Sequence, residues 1–283
     1  MNKFVHILKN IDRRIVYLLV FLAILLPFLP GFEFLQIDFS VKPETKSVYE
    51  TIDNLKEGDA VFFDWSFDPA SKAELEPFAK AFIKQCFRKK VKLFIYYSLA
   101  AASGLGQNIV KEITELPEFA GVKEGEDFIQ LNWLGYGIGP TLYIINMSSD
   151  FKKTFGKEGK IFEGVNNLKD IKYMFIAAGN GFPQVYIDFQ LRYSYLLGIA
   201  VTAVSGPDYL PYMKTGQLNG MVMGLRGAAE YEKLLIDQYK KNYDRGTAYA
   251  GMASLTLSHL TVIMFIILGN VIYFLERKNK RRR

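Results

Sequence analysis

Residues 64–68, Asp-Trp-Ser-Phe-Asp, carry the sharpest chemical signal in the sequence. Asp64, Ser66 and Asp68 alternate along this run and present side-chain oxygens at a regular spacing. Such oxygens are the ligands that hard cations such as Mg²⁺ prefer. The two carboxylates could also serve as a general acid and base. The alternative is a capped turn between a strand and a helix, which uses the same residue types.

Nucleophilic catalysis by a serine–histidine or cysteine–histidine pair has little support in this chain. The histidines are His6 and His259, so no such pair can form in the long middle stretch. The single cysteine, Cys86, excludes an intrachain disulfide and is predicted to be a small buried hydrophobic residue. The sequence therefore identifies no catalytic residue, cofactor or metal beyond the carboxylates named above.

Short apolar runs alternate with amphipathic stretches between residues 60 and 204. The runs are continuously apolar, which is typical of parallel strands that are buried on both faces. We therefore predict a Rossmann-like three-layer α/β domain with about five parallel strands.

Small and polar residues follow each predicted strand. In an open parallel sheet, ligands bind beyond the carboxyl ends of the strands, so these residues are predicted to converge on one ligand-binding edge. The alternative is that they serve only turns and helix caps. The candidate ligand-binding residues are Asp64, Ser66, Asp68, Ser98, Ser103, Asn132, Tyr136, Asn180, Ser205 and Asp208.

A strip of small residues stands out further along the chain. Gly216, Gly220, Gly224 and Ala228 recur every fourth residue, which predicts one helix with a smooth face. Glycine weakens a helix by about 1 kcal/mol per residue, so a close approach is expected to compensate. The face could pack on another helix of the domain, on a partner chain or second copy, or on a ligand.

Two apolar segments lie near the ends of the chain. Residues 15–32 contain no charged residue and are predicted to form a first transmembrane helix, an uncleaved signal anchor; a cleaved signal peptide is the alternative. Residues 251–275 are equally free of charge and are predicted to form a second. These helices separate an N-terminal segment, 1–14, a central domain, 33–250, and a tail, 276–283.

The distribution of charge predicts how the chain lies in a membrane. The net charge is +6, but the basic residues concentrate at the two ends and leave the central domain slightly acidic. A nucleic-acid groove would need that positive charge on the domain itself, so nucleic acid is excluded as a partner. Short basic flanks are retained in the cytoplasm. Both termini are therefore predicted to be cytoplasmic, with the central domain on the extracytoplasmic side of the cell membrane.

Two resemblances to known families add to these expectations. Residues 64–68 resemble the metal-ion-dependent adhesion motif of von Willebrand A-type domains, Asp-x-Ser-x-Ser, with Asp68 in place of the last serine, which implies a Mg²⁺-holding loop. Residues 196–235, together with the aspartate-rich run, resemble a family of prokaryotic membrane proteins of uncharacterised activity. That family carries an extracytoplasmic Rossmann-like domain between two spans. This resemblance implies a fold and a topology, and it carries over no activity.

Together these features favour a membrane-anchored extracytoplasmic binding or scaffold protein, part of a membrane complex. It is predicted to bind a partner or a small ligand at the carboxyl edge of the sheet, and to associate with a second copy or another membrane protein. The alternative is a carboxylate- or divalent-metal-dependent hydrolase that uses Asp64 and Asp68. Two spans without buried charge argue against transport.

Overall fold

The computed structural model describes residues 12–35, 39–132, 140–240 and 246–281 of the 283-residue chain. The chain divides into two compact units, Phe39–Ala248 and Met1–Asp38 with Tyr249–Arg283. The first unit is an α/β domain. The second contains helices from both ends of the chain.

The described residues form ten α-helices and six strands. The helices are α1 (Arg13–Leu25), α2 (Pro43–Asp53), α3 (Lys72–Lys89), α4 (Ala100–Thr114), α5 (Pro140–Ser149), α6 (Phe151–Phe155), α7 (Pro183–Tyr193), α8 (Gly206–Lys214), α9 (Gly224–Tyr239) and α10 (Thr247–Arg281). The strands are β1 (Ala60–Ser66), β2 (Lys92–Tyr97), β3 (Phe128–Leu131), β4 (Ile171–Ala178), β5 (Leu197–Val201) and β6 (Gly220–Met223).

The strands form one six-stranded sheet, all parallel, in the order β3-β2-β1-β4-β5-β6. The chain moves outwards in one direction from β1 to β3 and in the other from β4 to β6. The order therefore reverses between β1 and β4, and such a reversal opens a crevice at the carboxyl ends of the strands. Asp64 of β1 lies beside Ile176 of β4, at this reversal.

The prediction of an α/β domain built on a parallel sheet is confirmed. Every residue of β1 is buried. On one face of the sheet the ring of Phe62 lies 6.0 Å from that of Phe151 in α6, and on the other the ring of Phe63 lies 5.2 Å from that of Phe82 in α3. Helices cover both faces, and for this reason the strand sequences are continuously apolar.

The stretch predicted to be one helix with a glycine strip folds differently. Gly216 lies in a turn after α8 with φ +77°, Gly220 begins β6, and Gly224 is the first residue of α9 with φ +58°. Ala228 lies inside α9. The prediction of a single helix is therefore wrong, because two of the glycines supply left-handed backbone that other residues rarely adopt. The same stretch contributes the sixth strand, which the sequence did not reveal.

Gly220 shows that a close approach is nevertheless required in this stretch. A Cβ atom on Gly220 would lie 2.6 Å from Val48 Cγ2 and 2.8 Å from the backbone nitrogen of Val48 in α2. The absence of a side chain thus lets β6 and α2 pack together inside the domain.

The predicted first span, residues 15–32, does not form one continuous helix. α1 has 13 residues, and a 3₁₀ turn at Leu26–Phe28 follows it. At about 1.5 Å per residue, α1 is roughly 20 Å long, shorter than the hydrocarbon layer of about 30 Å. Pro27 lies in the turn, and proline has no N–H with which to continue an α-helix.

Helix α10 matches the predicted C-terminal span. Within the described residues, it is the helix that is long and apolar enough to cross a membrane, over the 29 residues Thr247–Leu275 with a mean hydropathy of 2.1. Its large apolar side chains, such as Leu260 and Phe274, are exposed. Among the described residues, one helix is therefore a candidate for crossing a membrane, whereas the sequence predicted two.

The two helices of the smaller unit touch each other. Ser254 Oγ of α10 donates a 2.8 Å hydrogen bond to the carbonyl oxygen of Ile24. Ile24 lies in the last turn of α1, where carbonyl oxygens have no partner within the helix. Ser254 and its neighbours Ala250 and Ala253 are buried, and small residues of this kind allow helices to approach closely.

Candidate functional site

Three polar side chains lie together on one face of the sheet at the carboxyl ends of β1 and β2. β1 extends through Ser66, so Asp64 and Ser66 belong to the strand rather than to the turn that follows it, and both are fully buried. Alternate residues of a strand share a face, so the two side chains point the same way as Phe62. Ser98 directly follows β2 and lies beside the Asp64 carboxyl, whose pKa it lowers.

Two tyrosines from the covering helices bind one oxygen of Asp64. Tyr186 of α7 donates to Asp64 Oδ2 at 2.5 Å, and the hydroxyl of Tyr143 of α5 lies 3.2 Å from the same oxygen. The two tyrosine hydroxyls are 2.6 Å apart. Each hydroxyl has a single proton, so Tyr186 donates to the carboxylate and Tyr143 shares its proton between Asp64 and Tyr186. Two helices are thereby tied to one buried carboxylate.

The remaining oxygens of this group lack well-formed hydrogen bonds. The Ser98 hydroxyl and backbone N–H lie close enough to the Asp64 carboxylate to lower its pKa. Among the described residues, however, no hydrogen bond of good geometry is made to Asp64 Oδ1 or by the buried hydroxyls of Ser66 and Ser98. Buried polar atoms are nearly always hydrogen-bonded, and leaving one unpaired costs about 1–3 kcal/mol. Three such atoms at one place are the feature that a bound polar group would explain.

Burial controls the protonation of the acid. Removal from water raises the pKa of Asp64 from 3.8 to about 6, while the hydroxyls of Ser98, Tyr186 and Tyr143 lower it. Burial likewise raises the pKa of both tyrosines well above 10, so both remain protonated donors at neutral pH. At neutral pH Asp64 is therefore mostly ionised, and within the described part of the chain it is hydrogen bonds that offset the cost of its buried charge.

The sheet contributes less side-chain volume at this place than elsewhere on the same face. The central strands each run from large to small residues towards their carboxyl ends. The series are Phe62, Asp64 and Ser66 in β1; Phe94, Tyr96 and Ser98 in and after β2; and Met174, Ile176 and Ala178 in β4. Serine and alanine thus stand where the strand order reverses, at the edge where a ligand is expected.

The other predicted ligand residues lie in different environments. Asp68 is exposed, and its Oδ1 accepts from the backbone of Ala70 at 3.0 Å, as in a capped turn. Asn180 Oδ1 accepts from the Phe182 backbone at 3.1 Å before α7, and the Ser205 hydroxyl lies 3.1 Å from that of Thr202. These three residues serve the turns in which they lie.

The last members of the predicted set are not drawn into this cluster. Asn132 and Asp208 are exposed, and Ser103 lies half-buried within α4. Tyr136 lies outside the described residues. The structure therefore brings together Asp64, Ser66 and Ser98 from the predicted set.

No metal centre is evident in the part of the chain that the structure describes. No three His, Cys, Asp or Glu side chains there are placed to hold one ion. Asp64 is fully buried beneath two tyrosines, whereas Asp68 is exposed and caps a turn, so the two carboxylates of the predicted acid–base pair have different surroundings.

A neighbouring contact holds the edge in shape. Glu74, in the first turn of α3, accepts from the backbone nitrogen of Ala203 at 2.8 Å in the loop after β5. A Cβ atom on Gly224 would lie 2.7 Å from Glu74 Oε2 and 2.8 Å from the Ala203 Cβ. Gly224 is thus required both by its positive φ and by this contact.

A cavity of about 390 Å³ lies elsewhere, at the amino-terminal ends of β2 and β3. Val91 and Asp127, which precede these strands, line it together with Arg88 and Glu118. Arg88 and Glu118 form an ion pair at 2.5 Å, so these two charges of the cavity wall are partnered with each other. Ligands of parallel sheets bind at the opposite edge.

Tyr143 and Tyr186 are the site residues that the sequence did not reveal. They lie 79 and 122 residues from Asp64 along the chain, on helices α5 and α7. Locally each is one more apolar position of an amphipathic helix, so no spacing rule connects it to Asp64.

No protein-family model, curated protein or solved structure matches this chain. Its likeness to the two-span prokaryotic membrane family therefore stays a prediction.

Proposed function

We propose that this protein is a membrane-anchored extracytoplasmic binding protein that takes a small ligand or a partner at the carboxyl edge of its sheet. The observation that carries the proposal is the buried Asp64 carboxylate, whose Oδ1 makes no hydrogen bond of good geometry among the described residues, at the point where the strand order reverses. Ligands of open α/β sheets bind at such a point. The strand order is also that of doubly wound dinucleotide-binding sheets, which supports a Rossmann-like assignment.

Binding is favoured over hydrolysis by the surroundings of the acid. A hydrolase built on Asp64 and Asp68 needs both carboxyls at the reacting bond. Asp64 instead hydrogen-bonds two protonated tyrosines, and Asp68 caps a turn at the surface. No histidine is present between His6 and His259 to act as a base for Ser66 or Ser98.

Membrane anchoring is the second part of the proposal, and α10 supports it. The helix offers Thr247–Leu275 for crossing, and Arg277 and the basic residues that follow would remain in the cytoplasm. The central domain then lies on the extracytoplasmic side. We also propose that α1 enters the membrane beside α10, with the N-terminus cytoplasmic. The Ser254–Ile24 hydrogen bond supports this pairing.

The short length of α1 bears directly on the proposed cytoplasmic position of the N-terminus. Arg13 and Arg14 open α1, and in a paired arrangement their side chains would extend to the headgroups, as long basic side chains do. Assembly with a second copy or with another membrane protein completes the proposal. The exposed apolar side chains of α10, such as Ile266 and Ile267, suit lipid and helix partners alike.

Binding at Asp64 can be tested on the full chain in mild detergent. We expect a thermal-unfolding screen of small polar compounds to find stabilisers of the wild-type chain that no longer stabilise Asp64→Asn. The exposed Asp188 of α7 provides the matched control, Asp188→Asn. Stabilisers that act equally on wild type and on Asp64→Asn would place the binding site elsewhere and overturn the proposal.

Topology requires a separate measurement. Reporters fused at each terminus should be accessible only from the cytoplasm, and protease added to spheroplasts should cut the central domain. A reporter at Arg283 that is reached from outside would overturn the orientation. A reporter reached from outside only at the N-terminus would leave α10 as the single span and remove α1 from the membrane.

A further inference from the structure

The three unsatisfied oxygens at the carboxyl edge form a compact acceptor set. In the register of β1 and β2, Asp64 lies opposite Tyr96 and Trp65 opposite Tyr97. Continuing this register places Ser66 beside Ser98. Neighbouring strands are about 4.8 Å apart and alternate residues about 6.6 Å apart, so one small group can reach all three side chains.

The charge at this place is negative, and the described residues provide no countercharge for it. No Lys, Arg or His among the described residues forms an ion pair with Asp64, and no cation contributes to the shift of its pKa. Tyr143 and Tyr186 occupy Oδ2, whereas Oδ1 has Ser98 nearby but no hydrogen bond of good geometry among the described residues. A buried charge of this kind is stabilised most by a cation that also donates hydrogen bonds.

We propose that Asp64 Oδ1 and the hydroxyls of Ser66 and Ser98 bind the primary ammonium group of a small amine. This inference rests on the proposed function, because it names the chemical class of ligand for the same edge of the sheet.

The number and kind of acceptors single out this ligand class. A primary ammonium has three N–H donors, which match three acceptor oxygens. A guanidinium prefers both oxygens of a carboxylate at once, but Oδ2 of Asp64 is already bound by the tyrosines. Mg²⁺ needs about six oxygen ligands, and the described residues provide one carboxylate here and no wider metal-binding group.

The test compares amines that differ only in their N–H donors. Full-length protein in mild detergent at pH 7.5 is titrated with methylammonium chloride, with tetramethylammonium chloride and with sodium chloride at equal ionic strength. We expect methylammonium alone to raise Tm in a saturable way, by roughly 3–5 °C at ten times its Kd. Tetramethylammonium carries the same charge without an N–H group and should act like sodium.

Variants then assign the effect to the acceptor set. Ser66→Ala and Ser98→Ala should each weaken methylammonium binding roughly tenfold or more, since each removes a hydrogen bond to a charged group. Asp64→Asn should abolish it, whereas Asp188→Asn should bind like wild type. Because the serine variants keep the buried acid, they test the inference even if Asp64→Asn fails to fold.

The outcomes separate this inference from the proposed function. Equal stabilisation by methylammonium and tetramethylammonium, no stabilisation by either, or a specific response to MgCl₂ would each overturn the ammonium site. If an uncharged or anionic compound stabilised the protein in an Asp64-dependent way, the binding function would stand and the amine class would be wrong. If no compound acted through Asp64, both would fall.

Discussion

Two buried acids of the domain have opposite surroundings. Glu230 of α9 is fully buried and accepts from Thr45 Oγ1 at 2.9 Å, from the backbone nitrogen of Lys42 at 3.2 Å and from Arg226 Nε at 3.0 Å. Asp64 is equally buried, but among the described residues tyrosine hydroxyls bind one of its oxygens, Ser98 lies beside the carboxylate, and no cation pairs with it. Glu230 thus joins α9 to the start of α2 with its charge paired.

The difference separates a structural acid from a candidate functional one. A satisfied buried carboxylate holds elements together, and its removal leaves the partners unpaired. An ionised, partly satisfied carboxylate lowers stability, and residues of that kind are typical of sites that bind or react.

The largest effect is expected at the structural acid. Glu230→Ala leaves the Thr45 hydroxyl, the Lys42 N–H and Arg226 without their acceptor, so we expect unfolding free energy to fall by about 3–5 kcal/mol. Chemical denaturation of the full chain measures it. Glu57→Ala, which removes an exposed pair with Lys90, is the control and should change stability by less than about 1 kcal/mol. A small loss of unfolding free energy in Glu230→Ala would contradict the assignment of Glu230 as a structural acid.

Asp64→Asn should instead raise the unfolding free energy at neutral pH. The folded-state pKa of about 6 lies above the reference value of 3.8, so the folded chain loses stability as pH rises from about 4 to about 6 and stays lower above that. The amide removes this cost, so the variant should gain up to about 3 kcal/mol at pH 7.5 and little at pH 4. Denaturation at the two pH values checks the prediction, and a gain of equal size at both would contradict it.

Tyr186→Phe should have a smaller, pH-dependent effect. Losing the 2.5 Å donor removes stabilisation of the ionised acid, so stability at pH 7.5 should fall by about 1–2 kcal/mol and less at pH 4. In an Asp64→Asn background, Tyr186→Phe should lower the unfolding free energy by a smaller amount. Equal losses in both backgrounds would show that Tyr186 only packs the core.

The smallest effect is expected at Asp68. Asp68→Asn keeps an acceptor for the Ala70 N–H, so stability should change by less than about 0.5 kcal/mol. Thermal unfolding with and without MgCl₂ should give the same shift for variant and wild type. A magnesium effect that disappears in Asp68→Asn would favour the alternative, a divalent-metal-dependent hydrolase, over the binding protein.

Much of the sheet could be predicted because its strands are buried on both faces. Continuous apolar runs in the segments of β2 and β4 leave few other structures that would bury them. The end of β1 was harder to locate, since Asp64 and Ser66 look like residues of a turn although they continue the strand. Polar residues within a buried strand, such as these two, indicate the candidate site.

Two features could not be read from the sequence, for different reasons. β6 contains four residues within a glycine pattern of helical spacing, and the positive φ values that divide this stretch leave no signature beyond glycine itself. The tyrosines that bind Asp64 depend on how α5 and α7 pack over the sheet, which is a tertiary arrangement without a local pattern.

The tyrosine cover over Asp64 has a kinetic consequence. With no exposed surface, the carboxylate can be reached only after groups that cover it, such as the two tyrosines bound to it, move aside. The rate at which a small molecule arrives is then limited by this movement as well as by diffusion, and its departure is slowed by the same step. In rapid-mixing experiments the observed association rate should level off as concentration increases.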